Sequence, residues 1–130
     1  MTRARTAALS ILRDAAEPLS AAAVFQRVGA CCDQATVYRT LHYLEEKGLA
    51  ESFILHCDEH GTERYYAALE EPGRESAPHR HWFHCEACHR FTEIGACTVD
   101  GLIRDFESGA GVTVRRHVLY FTGLCKECRK

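Results

Sequence analysis

The sequence predicts an α+β chain built from a winged helix-turn-helix and a smaller, strand-rich unit. Three observations carry this. Helical periodicity fills most of the first 48 residues, two β-rich runs follow around a turn, and two CxxC units frame most of the remainder. At 130 residues there is room for one ordinary domain, or for two small ones that each need help to stay folded.

Ala4 to Ala15 reads as a helix with Ala8, Leu9, Ile11 and Leu12 on one side, and Glu17-Pro18 ends it. Ser20 suits the cap of a second helix, Ala21 to Val28, which Gly29 closes. In GACCDQATVYRTLHYLEEKGLAE, Asp33 is an N-cap, Val37, Leu41 and Leu44 repeat on one face, and Gly48 is the stop. The other face offers Thr36, Arg39, Thr40 and Tyr43. Ser52 to Cys57 and Thr62 to Ala67 are β-rich runs around DEHG, a hairpin pattern that would form the wing. Residues 1–68 are thus expected to be the winged helix-turn-helix.

LEEPGRESAP, residues 69–78, is polar with two prolines and a glycine and reads as a linker. Residues 79–130 then run as a strand, a CxxC turn, a strand Arg90 to Ile94, a helix Val99 to Ser108 and a long strand Val112 to Phe121. That helix carries Val99, Leu102, Ile103 and Phe106 on one face, and GAGV breaks it.

Composition narrows the class. Apolar residues make up 46% and charged residues 26%, a globular balance. No apolar run approaches the ~20 residues of a membrane span, so no membrane partner is expected. The opening MTRARTAALSILRDAAEP is broken by Arg13 and Asp14 and shows no cleavage site, which speaks against a secretory signal and for the cytoplasm. Net charge is −2, divided as +1 over residues 1–50 (six Lys/Arg, five Asp/Glu) and −3 over the rest (ten against thirteen). That is a weak electrostatic footprint for nucleic acid, so DNA binding rests on motif rather than charge.

Eight cysteines and eight histidines are the compositional outlier. Without a signal, cysteines in CxxC pairs near histidines point to metal rather than disulfides. Cys85-x-x-Cys88 and Cys125-x-x-Cys128 are separated by 36 residues. Each turn supplies two thiolates, and zinc takes four soft ligands at tetrahedral corners, so the four predict a structural Zn2+ site. A redox dithiol is the competing reading, which two zinc-bound knuckles would exclude.

ATVYR at Ala35 to Arg39, HRHWFHCEAC at residues 79 to 88 and the interval between the knuckles together resemble the ferric uptake regulator family, over nearly the whole chain. The resemblance implies a homodimeric, metal- or peroxide-responsive DNA-binding repressor, with a winged-helix N-terminal domain and a C-terminal α/β dimerisation domain holding the four-cysteine site. It implies that Tyr38 and Arg39, with Thr36 beside them, contact double-stranded DNA, Arg39 being suited to phosphate or to a guanine edge. Packing between helices is the alternative for Tyr38. A two-fold dimer would meet a palindromic operator. Many members carry a further helix ahead of the one starting at Ala4, which this sequence does not show, so N-terminal DNA contacts are not carried over.

The family's sensing site takes two ligands six and four positions before the first knuckle cysteine, an acid fifteen after it and a histidine thirty-two after it. Here those positions hold His79, His81, Asp100 and His117, where the commoner set is His, Asp, Glu, His. Three imidazoles and a carboxylate suit Zn2+ and also accept Fe2+ or Mn2+. The family's other sensing site would need histidines where this chain has Arg80 and Trp82. The wing offers a replacement in His56, Cys57 and His60, with Glu93, as in zinc-sensing relatives; an incidental polar hairpin is the alternative. His84 is expected to face away from His79 and His81, and His89 to be exposed. Cys31, Cys32 and Cys97 read as free thiols, and His42 as a residue that touches DNA or nothing.

These features describe a zinc-responsive repressor of metal homeostasis genes rather than an enzyme. An iron-, manganese- or peroxide-responsive regulator of the same family is the alternative. A zinc hydrolase is the distant one: Glu93 could act as its base, but nothing in the sequence marks a substrate pocket.

Overall fold

A computed structural model describes residues 1–69, 80–95 and 99–129, which fall into two compact units, Met1–Pro78 and His79–Lys130. The first unit opens with α1 (Arg3–Asp14), where the Thr2 hydroxyl accepts from the Arg5 N–H at 3.2 Å and Ala8, Leu9 and Leu12 are buried. A two-residue strand, β1 (Leu19–Ser20), leads into α2 (Ala21–Val28), capped by the Ser20 hydroxyl on the Ala23 N–H at 3.2 Å. Gly29 ends α2 at φ 72°, a backbone state that costs a side chain-bearing residue energy, and a single 3-10 turn follows over Gly29–Cys31.

α3 (Gln34–Glu46) begins where the Asp33 carboxylate accepts from the Thr36 N–H at 2.8 Å. Hydrogen bonding with the Thr36 side chain first, and with its N–H second, holds the Asp33 carboxyl below its ordinary pKa. Val37, Leu41 and Leu44 face inward as their spacing predicts. Thr40 corrects the expectation of an outward residue: it is only 6% exposed, because the inward stripe of α3 is wider than the i, i+4, i+7 row alone. Tyr43 also departs from the open face, with the Arg5 guanidinium 3.5 Å from its ring centre.

β2 (Ala50–Cys57) and β3 (Gly61–Ala68) form the hairpin, paired from Ala50↔Ala68 to Cys57↔Gly61. β1 adds to β3 antiparallel, giving the order β1-β3-β2. No sequence signal marks β1, since two residues carry no periodicity. The core joins Leu9 and Leu12 of α1, Val24 of α2 and Val37, Leu41 and Leu44 of α3 to Tyr66 and Ala68 of β3. Each such aliphatic side chain contributes about 1.5–3 kcal/mol by leaving water.

In the second unit, β4 (His81–Cys85) lies between β5 (Phe91–Gly95), which is antiparallel to it, and β6 (Tyr120–Gly123), which is parallel. α4 (Asp100–Ala110) precedes β6 and stops at Gly111, φ 68°. The long strand expected over Val112 to Phe121 is corrected here. Trp82↔Tyr120 is the first pair with β4, so the residues before Tyr120 have no ladder partner among the described residues. Instead, the Val114 N–H donates to the Glu107 carboxylate at 2.8 Å. The apolar face of α4 is uncovered in the single chain, with Leu102 69% and Phe106 58% exposed. The expected linker lies outside the described residues apart from Leu69, whose N–H still bonds to the Leu49 carbonyl. Among the described residues no helix is long and apolar enough to cross a membrane.

Candidate functional site

The parallel pairing of β4 and β6 builds the four-cysteine cluster. Cys85 ends β4, fully buried, and the chain turns back through Cys88, with the His89 N–H on the Cys85 carbonyl at 2.9 Å. The Glu86 N–H donates to the Gly123 carbonyl at 2.7 Å, which brings the second turn alongside the first. There the Cys128 N–H and the Arg129 N–H both donate to the Cys125 carbonyl. The four sulfurs lie within 4.8 Å of one another, Cys88 and Cys125 at 3.8 Å, with no disulfide among them. A tetrahedral zinc with Zn–S bonds of about 2.3 Å requires sulfur–sulfur edges of about 3.8 Å.

Protonation fits the same purpose. The backbone N–H groups of Cys88 and Cys125 point at the Cys85 sulfur, from 3.5 and 3.4 Å, and lower its pKa to about 6. Hydrogen bonding with the Cys125 and Cys85 sulfurs pushes the Cys128 thiol up to about 12. One sulfur is thus a ready thiolate, and a soft cation would displace the protons the others share.

At the other end of β4, His81 is buried and its Nδ1 lies 3.1 Å from the Leu119 carbonyl. A carbonyl only accepts, so Nδ1 carries the proton and Nε2 presents its lone pair. That Nε2 lies 3.1 Å from Nε2 of His117, on the irregular segment before β6. Two imidazole nitrogens bound at about 2.0–2.1 Å to one tetrahedral ion would stand only slightly farther apart. Of the expected quartet, His81 and His117 are brought together. Asp100 is exposed on the first residue of α4 and does not complete a set with them within 4.8 Å. His79 lies outside the described residues.

A bulge between His81 and Trp82 breaks simple alternation along β4. His84 does not join His81; it is 1% exposed, packs on Phe91 and sits with Nε2 3.3 Å from Nδ1 of His89. His89 is half-buried rather than exposed, because this contact holds it on a turn at φ 64°. Arg80 lies over the Trp82 ring, 5.1 Å from its centre, so these two positions hold a cation–π pair.

In the first unit, Tyr38 and Arg39 project from α3 exposed, and an Arg39 guanidinium N–H donates to the Thr36 hydroxyl at 3.2 Å. His42 is exposed and pairs with Glu46 one turn on, at 3.2 Å. On the wing, His56 Nδ1 meets the Thr62 hydroxyl at 2.9 Å, and the buried Cys57 sulfur accepts the His60 N–H at 3.2 Å. His56 and Cys57 are neighbours on one strand and point to opposite faces. His56, Cys57 and His60 do not form a three-ligand set within 4.8 Å; Glu93 is exposed on β5 of the other unit. Cys32 is half-buried and in no disulfide, and Cys97 lies outside the described residues.

Sequence reasoning missed the Leu119 carbonyl that orients His81, since a backbone group has no residue signature. It also missed a chain of side chains on the wing: the Arg64 guanidinium donates to the Ser52 hydroxyl at 2.8 Å, and Ser52 donates to the Glu45 carboxylate of α3.

A family model described as the ferric uptake regulator family matches residues 1–122. No curated protein sequence matches the chain at a significant level. Among solved structures, the Helicobacter pylori ferric uptake regulator, described as having three functional metal-binding sites, superposes with a TM-score of 0.72 at 18% identity, covering 100% of this chain and 82% of that one. A zinc uptake regulator complexed with zinc and DNA gives 0.70 at 21%, covering 98% and 82%. The ferric uptake regulator of Francisella tularensis with iron gives 0.68 at 24%, covering 100% and 94%. At these identities the superpositions speak for the fold. With the family match running across both units, the chain belongs to the ferric uptake regulator family.

Proposed function

We propose that this chain is a zinc-responsive transcriptional repressor of metal homeostasis genes that binds DNA as a cytoplasmic homodimer. The His81–His117 pair carries the reading: two imidazole nitrogens at 3.1 Å, one with its tautomer fixed by a backbone carbonyl, form half of a nitrogen-rich ion site. His79 and Asp100 would complete it, holding Zn2+, or Fe2+ or Mn2+, while Cys85, Cys88, Cys125 and Cys128 hold a structural Zn2+. An additional ion at Cys57, His60 and Glu93, with His56 nearby, is a lesser part of this reading.

Bound at the sensor quartet, the ion would link β4 to the segment before β6 and to α4, and would restrain the end of the linker that enters β4. Restraint there raises the population of the dimer whose two α3 helices match successive major grooves. Thr36, Tyr38 and Arg39 would meet a palindromic operator, and the exposed Leu102, Phe106, Val118 and Phe121 offer an apolar surface that a second copy would cover. The relative solved with zinc and DNA supports the same assignment.

The test is fluorescence-anisotropy DNA binding at buffered free zinc, iron(II) and manganese(II). Zinc is expected to raise affinity most. A zinc response that survives combined His81→Ala and His117→Ala substitution rules out this sensor, and a stronger response to iron(II) or manganese(II) moves the chain to the alternative branch.

A further inference from the structure

The side-chain chain on the wing has a use that the proposed function leaves open. Arg64 is exposed on β3, yet one N–H of its guanidinium is committed to the Ser52 hydroxyl at 2.8 Å. Ser52 spends its own proton on the Glu45 carboxylate, one residue from the end of α3. The hydroxyl therefore accepts on one side and donates on the other, and the three groups lock in a single order. An exposed arginine ordinarily keeps much of its rotamer freedom, but this one is oriented before any ligand arrives.

Its place follows from the same two bonds. Glu45 stands seven residues after Tyr38 on α3, close to two full turns, so both project from one side of that helix. Through Ser52, Arg64 is tied to that side, where Tyr38 is half exposed. A guanidinium has five N–H donors in a planar fork, and the Ser52 bond uses one. The remainder suit a phosphate oxygen pair, the anion that recurs along both strands beside a helix lying in a major groove. Residues 1–50 carry a net charge of only +1, so a cation fixed toward the duplex weighs heavily here.

We propose that Arg64, oriented on β3 by the Ser52 hydroxyl and through it by the Glu45 carboxylate of α3, contacts the DNA phosphate backbone from the wing. Arg64 is the binding residue and Ser52 a positioning residue. The inference rests on the DNA-binding reading, but a phosphate contact is independent of sequence, so no operator needs to be known.

The experiment measures binding of the zinc-loaded chain to a short mixed-sequence duplex by anisotropy over a range of salt, with thermal melting of each variant as a control. Arg64→Ala is expected to weaken binding about 5- to 10-fold and to flatten the slope of log K against log salt by about 0.9, the share of one phosphate. Arg64→Lys keeps the charge and should restore the slope without full affinity. Ser52→Ala should weaken binding about 2- to 3-fold at unchanged slope, and that loss should vanish in the Arg64→Ala background.

Loss of affinity with an unchanged slope in both Arg64 variants makes the residue structural and overturns the proposal. So does wild-type binding by Arg64→Ala while Arg39→Ala fails, an outcome that leaves the DNA-binding reading standing. If the unaltered zinc-loaded chain binds no duplex, both fall together.

Discussion

Nε2 of His81 and Nε2 of His117 lie 3.1 Å apart across 36 residues of sequence, and the Leu119 carbonyl holds the His81 ring from its far side. Two nitrogens so placed share either a proton or a cation. Replacing either histidine with alanine is expected to lower bound zinc from about two ions per chain to about one after dialysis against a weak chelator, the remaining ion belonging to the thiol cluster. Elemental analysis gives the stoichiometry. Two ions retained by both variants would leave the pair as a plain imidazole–imidazole hydrogen bond.

The second unit is expected to depend on metal at its thiol cluster for stability. Among the described residues its buried side chains are His81, Trp82, His84 and Cys85, and α4 buries none. A structural zinc site contributes on the order of 10–16 kcal/mol in small domains, comparable with the whole stability of an ordinary one. Cys128→Ser, or a strong chelator, is therefore expected to unfold this unit while the first keeps its helical signal. Trp82 is the only tryptophan in the chain, so a red shift of its emission reports the event directly.

Zinc uptake at the cluster should depend on pH with a definite sign. The Cys85 pKa is lowered to about 6 from an ordinary 9, so in the metal-free protein its stabilising share is complete above pH 9 and lost as pH falls through 6. Cys128 is shifted to about 12, so its share is present below pH 9 and lost as pH rises through 12. At pH 7 Cys85 is already a thiolate, and Cys128 must surrender a proton to bind. Affinity should rise from pH 6 to 8 with at least one proton released per zinc, read by calorimetry in buffers of different ionisation enthalpy. Uptake with no proton release would contradict the assignment of Cys128 as a ligand.

Leu41 is fully buried where α3 meets α1 and α2. Leu41→Ala should cost about 2–5 kcal/mol in urea unfolding of the first unit, whereas His42→Ala, at the exposed next position, should stay within about 0.5 kcal/mol. Equal effects would mean that α3 is rotated from the orientation described.

The difference between Leu41 and His42 was legible in the sequence because apolar spacing on a helix is local, as are the Asp33 cap and the Gly29 stop. The two CxxC turns were legible for the same reason, since each half of the cluster is written in four consecutive residues. The span of β6 was not, because a strand extends only as far as its partner and β4 begins at His81. Thr40 was misjudged because a threonine gives no apolar signal, although its methyl can face a core. The His81–His117 contact was reached only through the spacing of a family resemblance, as no local pattern relates two such distant residues. Arg64, Ser52 and Glu45 stayed hidden because three common polar residues on separate elements carry no shared motif.

The parallel pairing of β4 with β6 also bears on how quickly the second unit forms. An antiparallel neighbour such as β5 can close through a short turn, but β6 must return across a loop in which Cys85 and Cys125 stand 40 residues apart. Closing such a loop costs about 3 kcal/mol of chain entropy beyond a constant, before any contact repays it. Helix docking and hairpin closure in the first unit are more local, so that unit should collapse first, with the second trailing behind it. An ion already held by the first CxxC turn would catch the second as it arrives, so folding of this unit should quicken with free zinc rather than only end in a more stable state.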